Sequence, residues 1–260
     1  MRNANPIIRF KNVSISFGRL NVLNGMDLSI YEGETITIIG GSGSGKSVTL
    51  KLLLGVLKPD SGSVYFQGRD VTTMNEKELI QMRKQFGMLF QGGALFDSLS
   101  VKENIAYPLR EHFDYTENEL DRIVAKKLSL IGLPGVEQRM PADLSGGMKK
   151  RVGLARAIAA DPKVILYDEP TTGLDPANTQ RINRLIIQLQ EKLKVTSIVV
   201  THDMESAFMV SDRLALLKDG KICFVGTKEE TKKSTDPTVR GFIEGKMTEK
   251  DREEQMAGGL

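Results

Sequence analysis

Residues 40–47 read GGSGSGKS and fill the pattern G-x-x-x-x-G-K-[ST], with Gly40, Gly45, Lys46 and Ser47 in its fixed places. The chemistry that spacing serves is the grip of a nucleotide's phosphates. Glycines let backbone N–H groups turn inward, so the run Gly41, Ser42, Gly43, Ser44 can bring its own against phosphate oxygens. A helix starting at the end of the loop adds its partial positive charge. Lys46 is expected to reach the β- and γ-phosphates, and the Ser47 hydroxyl to hold Mg2+. A second stretch, VILYDEP at 164–170, sets four apolar residues before two acids. Acids at the C-terminal end of a buried parallel strand stand where such sheets bind ligands. Asp168 is expected to help hold Mg2+, directly or through water, and Glu169 to orient and polarise an attacking water. A third stretch, LSGGM at 144–148, puts a serine and two glycines ahead of the helical run KKRVGLARAIAA. It too suits a phosphate, about a hundred residues from the first loop.

These residues need a scaffold that alternates strands and helices. PIIRFKNVSISF and GMDLSIYEGETITIIG show rough two-residue alternation and read as strands. KSVTLKLLLGVL has helical spacing, KPDSGSVYFQGRDV reads as a turn and hairpin strands, and 75–85 as a helix. From about 100 to 160 the pattern is helical, punctuated by Pro108, Pro134 and Pro141. Strands return at KVILYDEP and TSIVVTHD with a helix over roughly 177–193 between them, and RLALLKDGK and ICFVG close the core. The strand–helix–strand rhythm of the two ends predicts an α/β fold with a mostly parallel sheet, and the helical middle is then an insertion.

Composition sets the limits. The 260 residues suffice for one large domain or two small ones, and 40% apolar with 27% charged residues is ordinary for a soluble protein. A net charge of +3 is too small to argue for nucleic acid, and fits work near an anionic membrane surface only weakly. The single cysteine, Cys223, excludes an internal disulfide and a Cys-based metal cluster, and suits a cytosolic chain. LLLGVL at 52–57 is among the longest apolar runs, far short of the roughly eighteen residues a membrane span needs. The opening MRNANPIIRF has no apolar signal region, so any membrane role requires a partner.

In their order, the motifs resemble the nucleotide-binding subunit of ABC transporters, over about residues 7–245. Gln91, in MLFQGG, resembles the family's Q-loop glutamine, which touches Mg2+ and faces the membrane subunit. LSGGM resembles the signature motif, TGLDP at 172–176 the D-loop with Asp175 as its acid, and His202 in VVTHD the switch histidine that contacts the γ-phosphate. Phe17, in SFG, matches the aromatic that stacks on adenine. The resemblance implies a RecA-like P-loop NTPase core with an antiparallel β subdomain, about 1–91 and 157–245, and an inserted helical subdomain, about 92–156. It implies catalysis by Glu169, His202, Gln91 and Lys46, and ATP with Mg2+ as cofactors, Val48 following the phosphate loop in the nucleotide site. In the family two subunits pack head to tail, so Ser145, Gly146, Gly147 and Asp175 would act on the ATP held by a second copy. Two residues depart from the family's pattern. Met148 replaces the usual glutamine of the signature, and Val48 stands where Ser or Thr is commoner. Both departures leave activity expected. His112 reads as a solvated helix-end residue and the eleven methionines as core filler.

FQGGALFDSLSVKENIAYPLRE at 90–111, DPTVRGFIEG at 236–245 and the signature's methionine resemble the Mla/Mce class of ATPase subunits. That likeness implies phospholipid movement, a permease partner, periplasmic Mce-domain and sometimes STAS-domain proteins, and a peripheral place on the cytoplasmic face of the inner membrane. Three alternatives stand beside it. One is an ABC subunit for another substrate. A second is a soluble ABC-type ATPase of translation or repair, disfavoured because this chain has one motif set and no heptads between loop and signature. The third is a P-loop kinase, which would have no use for LSGGM. For the charged tail, 246–260, a frayed end and a clasp on a partner are both open.

Overall fold

The computed structural model describes residues 5–244; the charged tail, residues 1–4 and residue 245 lie outside the described residues. In chain order the elements are β1 (Ile8–Phe17), β2 (Leu20–Ile30), β3 (Thr35–Ile39), α1 (Lys46–Leu53), β4 (Ser61–Phe66), β5 (Arg69–Asp70), α2 (Glu76–Arg83) and β6 (Phe86–Leu89). A helical stretch follows, α3 (Val101–His112), α4 (Glu117–Leu130) and α5 (Gly146–Ala157). Then come β7 (Val164–Asp168), α6 (Pro176–Leu193), β8 (Thr196–Thr201), α7 (Met204–Val210), β9 (Arg213–Lys218), β10 (Lys221–Thr227), α8 (Lys228–Lys233) and α9 (Pro237–Ile243).

Two sheets form. One is antiparallel, in the order β2-β1-β4-β5, and the other has the order β10-β9-β3-β8-β7-β6. In the second, every pair is parallel except β10 with β9. Its central strands β3 and β8 are buried at every residue, as strands covered on both faces are, and β7 is a near-continuous apolar run. Val164 and Leu166 of β7 pack with α1 and the antiparallel sheet, while Ile165 and Tyr167 face the layer built on α3–α6. The expected α/β architecture is the observed one.

Local chemistry sets the helix starts. Ser100, Thr116 and Asn75 each cap a helix reciprocally with the Glu three residues on, and Asp175 caps α6 ahead of Pro176. Several elements add to or refine the sequence expectation. The helix after the phosphate loop stops at Leu53, because Gly55 turns left-handed (φ +62°) and Val56 N–H closes back on the Lys51 carbonyl. Pro108 lies inside α3 and does not end it. The wholly buried Asn104, one turn before it, ties the preceding loop by donating to the carbonyls of Phe96, Leu99 and Ser100 and accepting from Phe96 N–H. The short parallel strand β6 and the short helices α7, α8 and α9 are the further additions. Of the methionines, Met26 and Met82 are core residues, but Met140 is exposed, so filling the core does not describe them all.

Candidate active site

Every parallel strand that carries a motif delivers it at the C-terminal edge of the sheet. β3 runs into the phosphate loop, β6 leads to Gln91, β7 ends in Asp168 with Glu169 next, and β8 hands on to His202. The pairing β3-β8-β7-β6 therefore gathers four segments, spread over more than 150 residues of chain, onto one rim. The rim opens into a cleft of about 1570 Å3 whose walls include Phe17, Gly41–Val48, Gln91, Glu169, Thr172 and His202.

The phosphate loop is held in the form its glycines allow. Gly45 sits at φ +101°, and a Cβ there would come within 2.9 Å of Leu23 Cδ2. A Cβ on Gly40 would meet the Leu217 carbonyl at 2.6 Å. Lys46 is buried and donates from Nζ to the Gly40 and Gly41 carbonyls, 2.9 Å each. The Ser44 hydroxyl is buried with no protein partner. An orphan donor inside a loop at a helix N-terminus, beside an ammonium, fits an anionic phosphate group.

The two acids do different things. Asp168 Oδ1 accepts from the Ser47 hydroxyl at 2.8 Å. Burial pushes the Asp168 carboxyl up, and the Glu169 charge adds to this, against the pull of the Ser47 hydroxyl, Lys51 and Lys46. Hydroxyl and carboxylate are hard oxygen donors of the kind Mg2+ takes. Among the described residues no three His, Cys, Asp or Glu cluster as a metal cage, and a cation that shares its shell with phosphates and water needs none. Glu169 is the more tightly held. Its Oε2 accepts from Thr201 Oγ1 at 3.0 Å and Thr172 Oγ1 at 3.1 Å, His202 Nδ1 lies 3.0 Å from both oxygens, and Lys46 Nζ lies 3.7 Å from Oε1. Burial pushes this carboxyl up, but the His202 contact, the Thr201 hydroxyl and the Lys46 charge outweigh it and hold the group below its usual range. The result is an ionised carboxylate, fixed at four points and suited to take or orient the proton of a water. Its backbone stands in the left-handed region, φ +47°, which costs strain for a side chain of this kind.

The predicted residues do not all meet in one place. Ser145, Gly146, Gly147 and Asp175 do not line the cleft. Ser145 and Gly146 are exposed at the start of α5, where Ser145 Oγ accepts from Met148 N–H and leaves its own proton free to donate outward. Gly147 is packed, since a Cβ there would meet the Asn178 side chain at 2.6 Å. Asn178 in turn donates to Asp175 through both its backbone and its amide, which joins the two motifs into one surface. Phe17 is 48% exposed at the cleft mouth, free to stack on a flat ring. His112 ends α3 exposed, as expected. Thr172 and Thr201, which fix Glu169, are given no role in the sequence analysis, although Thr172 opens TGLDP and Thr201 immediately precedes His202.

Comparison with known proteins gives the same reading from a separate direction. Residues 23–172 match the ABC transporter family. The "Intermembrane phospholipid transport system ATP-binding protein MlaF" of Haemophilus influenzae is 42% identical, over 92% of this chain and 90% of its own length. The "Probable ribonucleotide transport ATP-binding protein mkl" of Mycobacterium leprae is 41% identical, over 96% of this chain and 74% of its own. A dimeric ATP-binding cassette solved in a post-hydrolysis state with ADP and Pi superposes with a TM-score of 0.78 at 32% identity, covering 85% of this chain and 98% of that one. A rim shaped for phosphates and an alignment with transport ATP-binding proteins along most of the chain have one common explanation: this chain belongs to the ABC transporter family, as an ATP-binding and ATP-hydrolysing subunit.

Proposed function

We propose that this chain drives phospholipid transport for outer-membrane lipid asymmetry, as a peripheral subunit on the cytoplasmic face of the inner membrane. The observation that carries the reading is the match to the Haemophilus protein, which spans nine-tenths of both chains. The relative with a ribonucleotide name is as similar, but about a quarter of its length has no counterpart here. Among the described residues no helix is long and apolar enough to cross a membrane, so this reading requires an integral membrane permease subunit. Mce-domain and STAS-domain proteins are the further partners; nucleic acid is not among them.

Within the subunit, Phe17, Gly40–Ser47 and Val48 bind ATP, with Lys46 on its phosphates. Ser47, Asp168 and Gln91 hold Mg2+, which neutralises phosphate charge when bound. Glu169 orients and polarises the water, and His202 contacts the γ-phosphate end. Ser145, Gly146, Gly147 and Asp175 act in trans, on ATP held by a second copy. Support for this comes from the position of all four outside the chain's own cleft, from the exposure of Ser145, Gly146 and Asp175, and from the dimeric state of the cassette it resembles. The core and β subdomain take in about 1–91 and 157–245, and the helical subdomain about 92–156.

The test is reconstitution of the complete complex between donor and acceptor vesicles, following a fluorescent phosphatidylethanolamine. ATP-dependent lipid transfer that is lost in Glu169→Gln is the expected result. Nucleotide uptake by the same complex, with lipid unmoved, would favour the other name.

A further inference from the structure

Lys150 lies five residues beyond Ser145 on α5 and is only 5% exposed. Its Nζ donates to the Pro170 carbonyl at 2.9 Å and to the Thr172 carbonyl at 2.6 Å. These carbonyls flank Thr171 in the turn that links Glu169 to Asp175, the N-cap of α6. Burial drives the pKa of this ammonium down to about 8, and the Glu169 charge restores part of the loss. A methionine would fill the same space without burying a charge, so packing alone does not explain a lysine here. The loop it grips also carries Thr172, whose hydroxyl donates to Glu169 Oε2. Further along the same helix, Arg156 donates to the Gly93 and Ala94 carbonyls, just beyond Gln91. The helix that begins with the signature is thus bonded both to the turn that follows Glu169 and to the loop that follows Gln91.

We propose that Lys150 is a positioning residue that ties the placement of α5, and with it the engagement of Ser145 on the partner's ATP, to the orientation of the chain's own Glu169. This rests on the reading that the signature acts in trans. The connection runs from the Ser145 cap along rigid helix to Lys150, across two hydrogen bonds to the 170–172 turn, and through Thr172 to the carboxylate. Both ends of a single chain's contribution, one to each ATP site, are then mechanically joined.

The experiment uses the full chain in complex with its membrane subunit. Lys150→Met should lower kcat for ATP about tenfold while KM changes less than about twofold, and should bring the Hill coefficient toward one. Lys150→Arg, which keeps charge and donors, should recover most of the turnover. Lys150→Gln takes the place of the Met variant if that variant does not fold. Turnover at the wild-type level in the Met variant overturns the proposal. So does an equal loss in Met and Arg variants that tracks an equal fall in melting temperature, since that is packing. Direction is tested in mixed dimers with Glu169→Gln in one chain, where only the other chain's Glu169 can turn over. Lys150→Met in the hydrolysing chain should cut turnover several-fold more than Lys150→Met in the Gln chain; the reverse order overturns the proposal. Ser145→Arg in the Gln chain tests the underlying reading by itself. If the hydrolysing chain's site still closes on ATP there, the signature does not act in trans, and that failure is visible whatever the Lys150 variants do.

Discussion

At the scale of single residues, the cleft separates binding from hydrolysis. Lys46 is the cation inside the loop, and Lys46→Ala should weaken ATP binding by roughly tenfold or more, the order expected when a charged hydrogen-bond donor is lost. Calorimetric titration reads this directly, and unchanged affinity would remove Lys46 from the site. Glu169→Gln keeps the shape and gives up the charge, so binding should persist while turnover falls by about a hundredfold or more. Lys150 gives a pH dependence. Its pKa is about 8 folded against the ordinary 10.5, so the unfolded chain binds more protons across that window. The lysine's penalty is therefore present in full below about pH 8 and relieved as pH rises toward 10.5. Relative to Lys150→Met, in which the neighbouring Glu169 is unchanged, wild-type stability should climb between those pH values; parallel denaturation curves would contradict it. The sequence shows Lys46, Asp168 and Glu169 because each sits in a fixed spacing beside glycines or an apolar strand. Thr172, Thr201 and Lys150 have no such spacing. Thr201 and Lys150 are single polar residues whose partners come from separate segments, and Thr172 reaches Glu169 only through the fold of the turn between them.

At the scale of elements, strand and helix types follow from periodicity, and the exceptions have local causes. β6 escapes a pattern reading because it is four residues long, contains Gly87 and gains its partner, β7, from nearly eighty residues away. The structure explains that glycine. A Cβ at position 87 would stand 2.1 Å from the Ala157 carbonyl at the end of α5. Gly87→Ala should therefore cost about 1–3 kcal/mol through overpacking and lower the melting temperature by several degrees. It should also disturb Gln91, which hangs from the same strand, so ATPase activity should fall more than stability alone explains. A melting temperature within a degree of wild type would show that the strand and helix can part at no cost. Pro108 sits inside α3 without ending it, and Asn104 ties the first turn of the same helix to the loop before it.

At the scale of the whole molecule, LSGGM and the phosphate loop of one chain do not line the same cleft, and a mixed dimer tests what this means. One chain carries Lys46→Ala and the other Ser145→Arg. If each site lies within one chain, both sites are damaged and none should bind ATP competently. If sites are shared, both lesions fall on one site and the other is intact, so nucleotide occupancy should match that of a Lys46→Ala and wild-type pair. Occupancy and closure are the readouts, because turnover can require both sites. The order of the parallel sheet has a consequence for synthesis as well. β3 is buried along its whole length, and both of its neighbours, β8 and β9, are encoded more than 150 residues later. At roughly 5–20 residues per second, the ribosome leaves that strand unpaired for about 8–30 seconds. The emerging N-terminal part can form its antiparallel sheet in that time but not its central core, so a nascent chain stalled before residue 196 should be protease-sensitive at β3 and a natural client for chaperones.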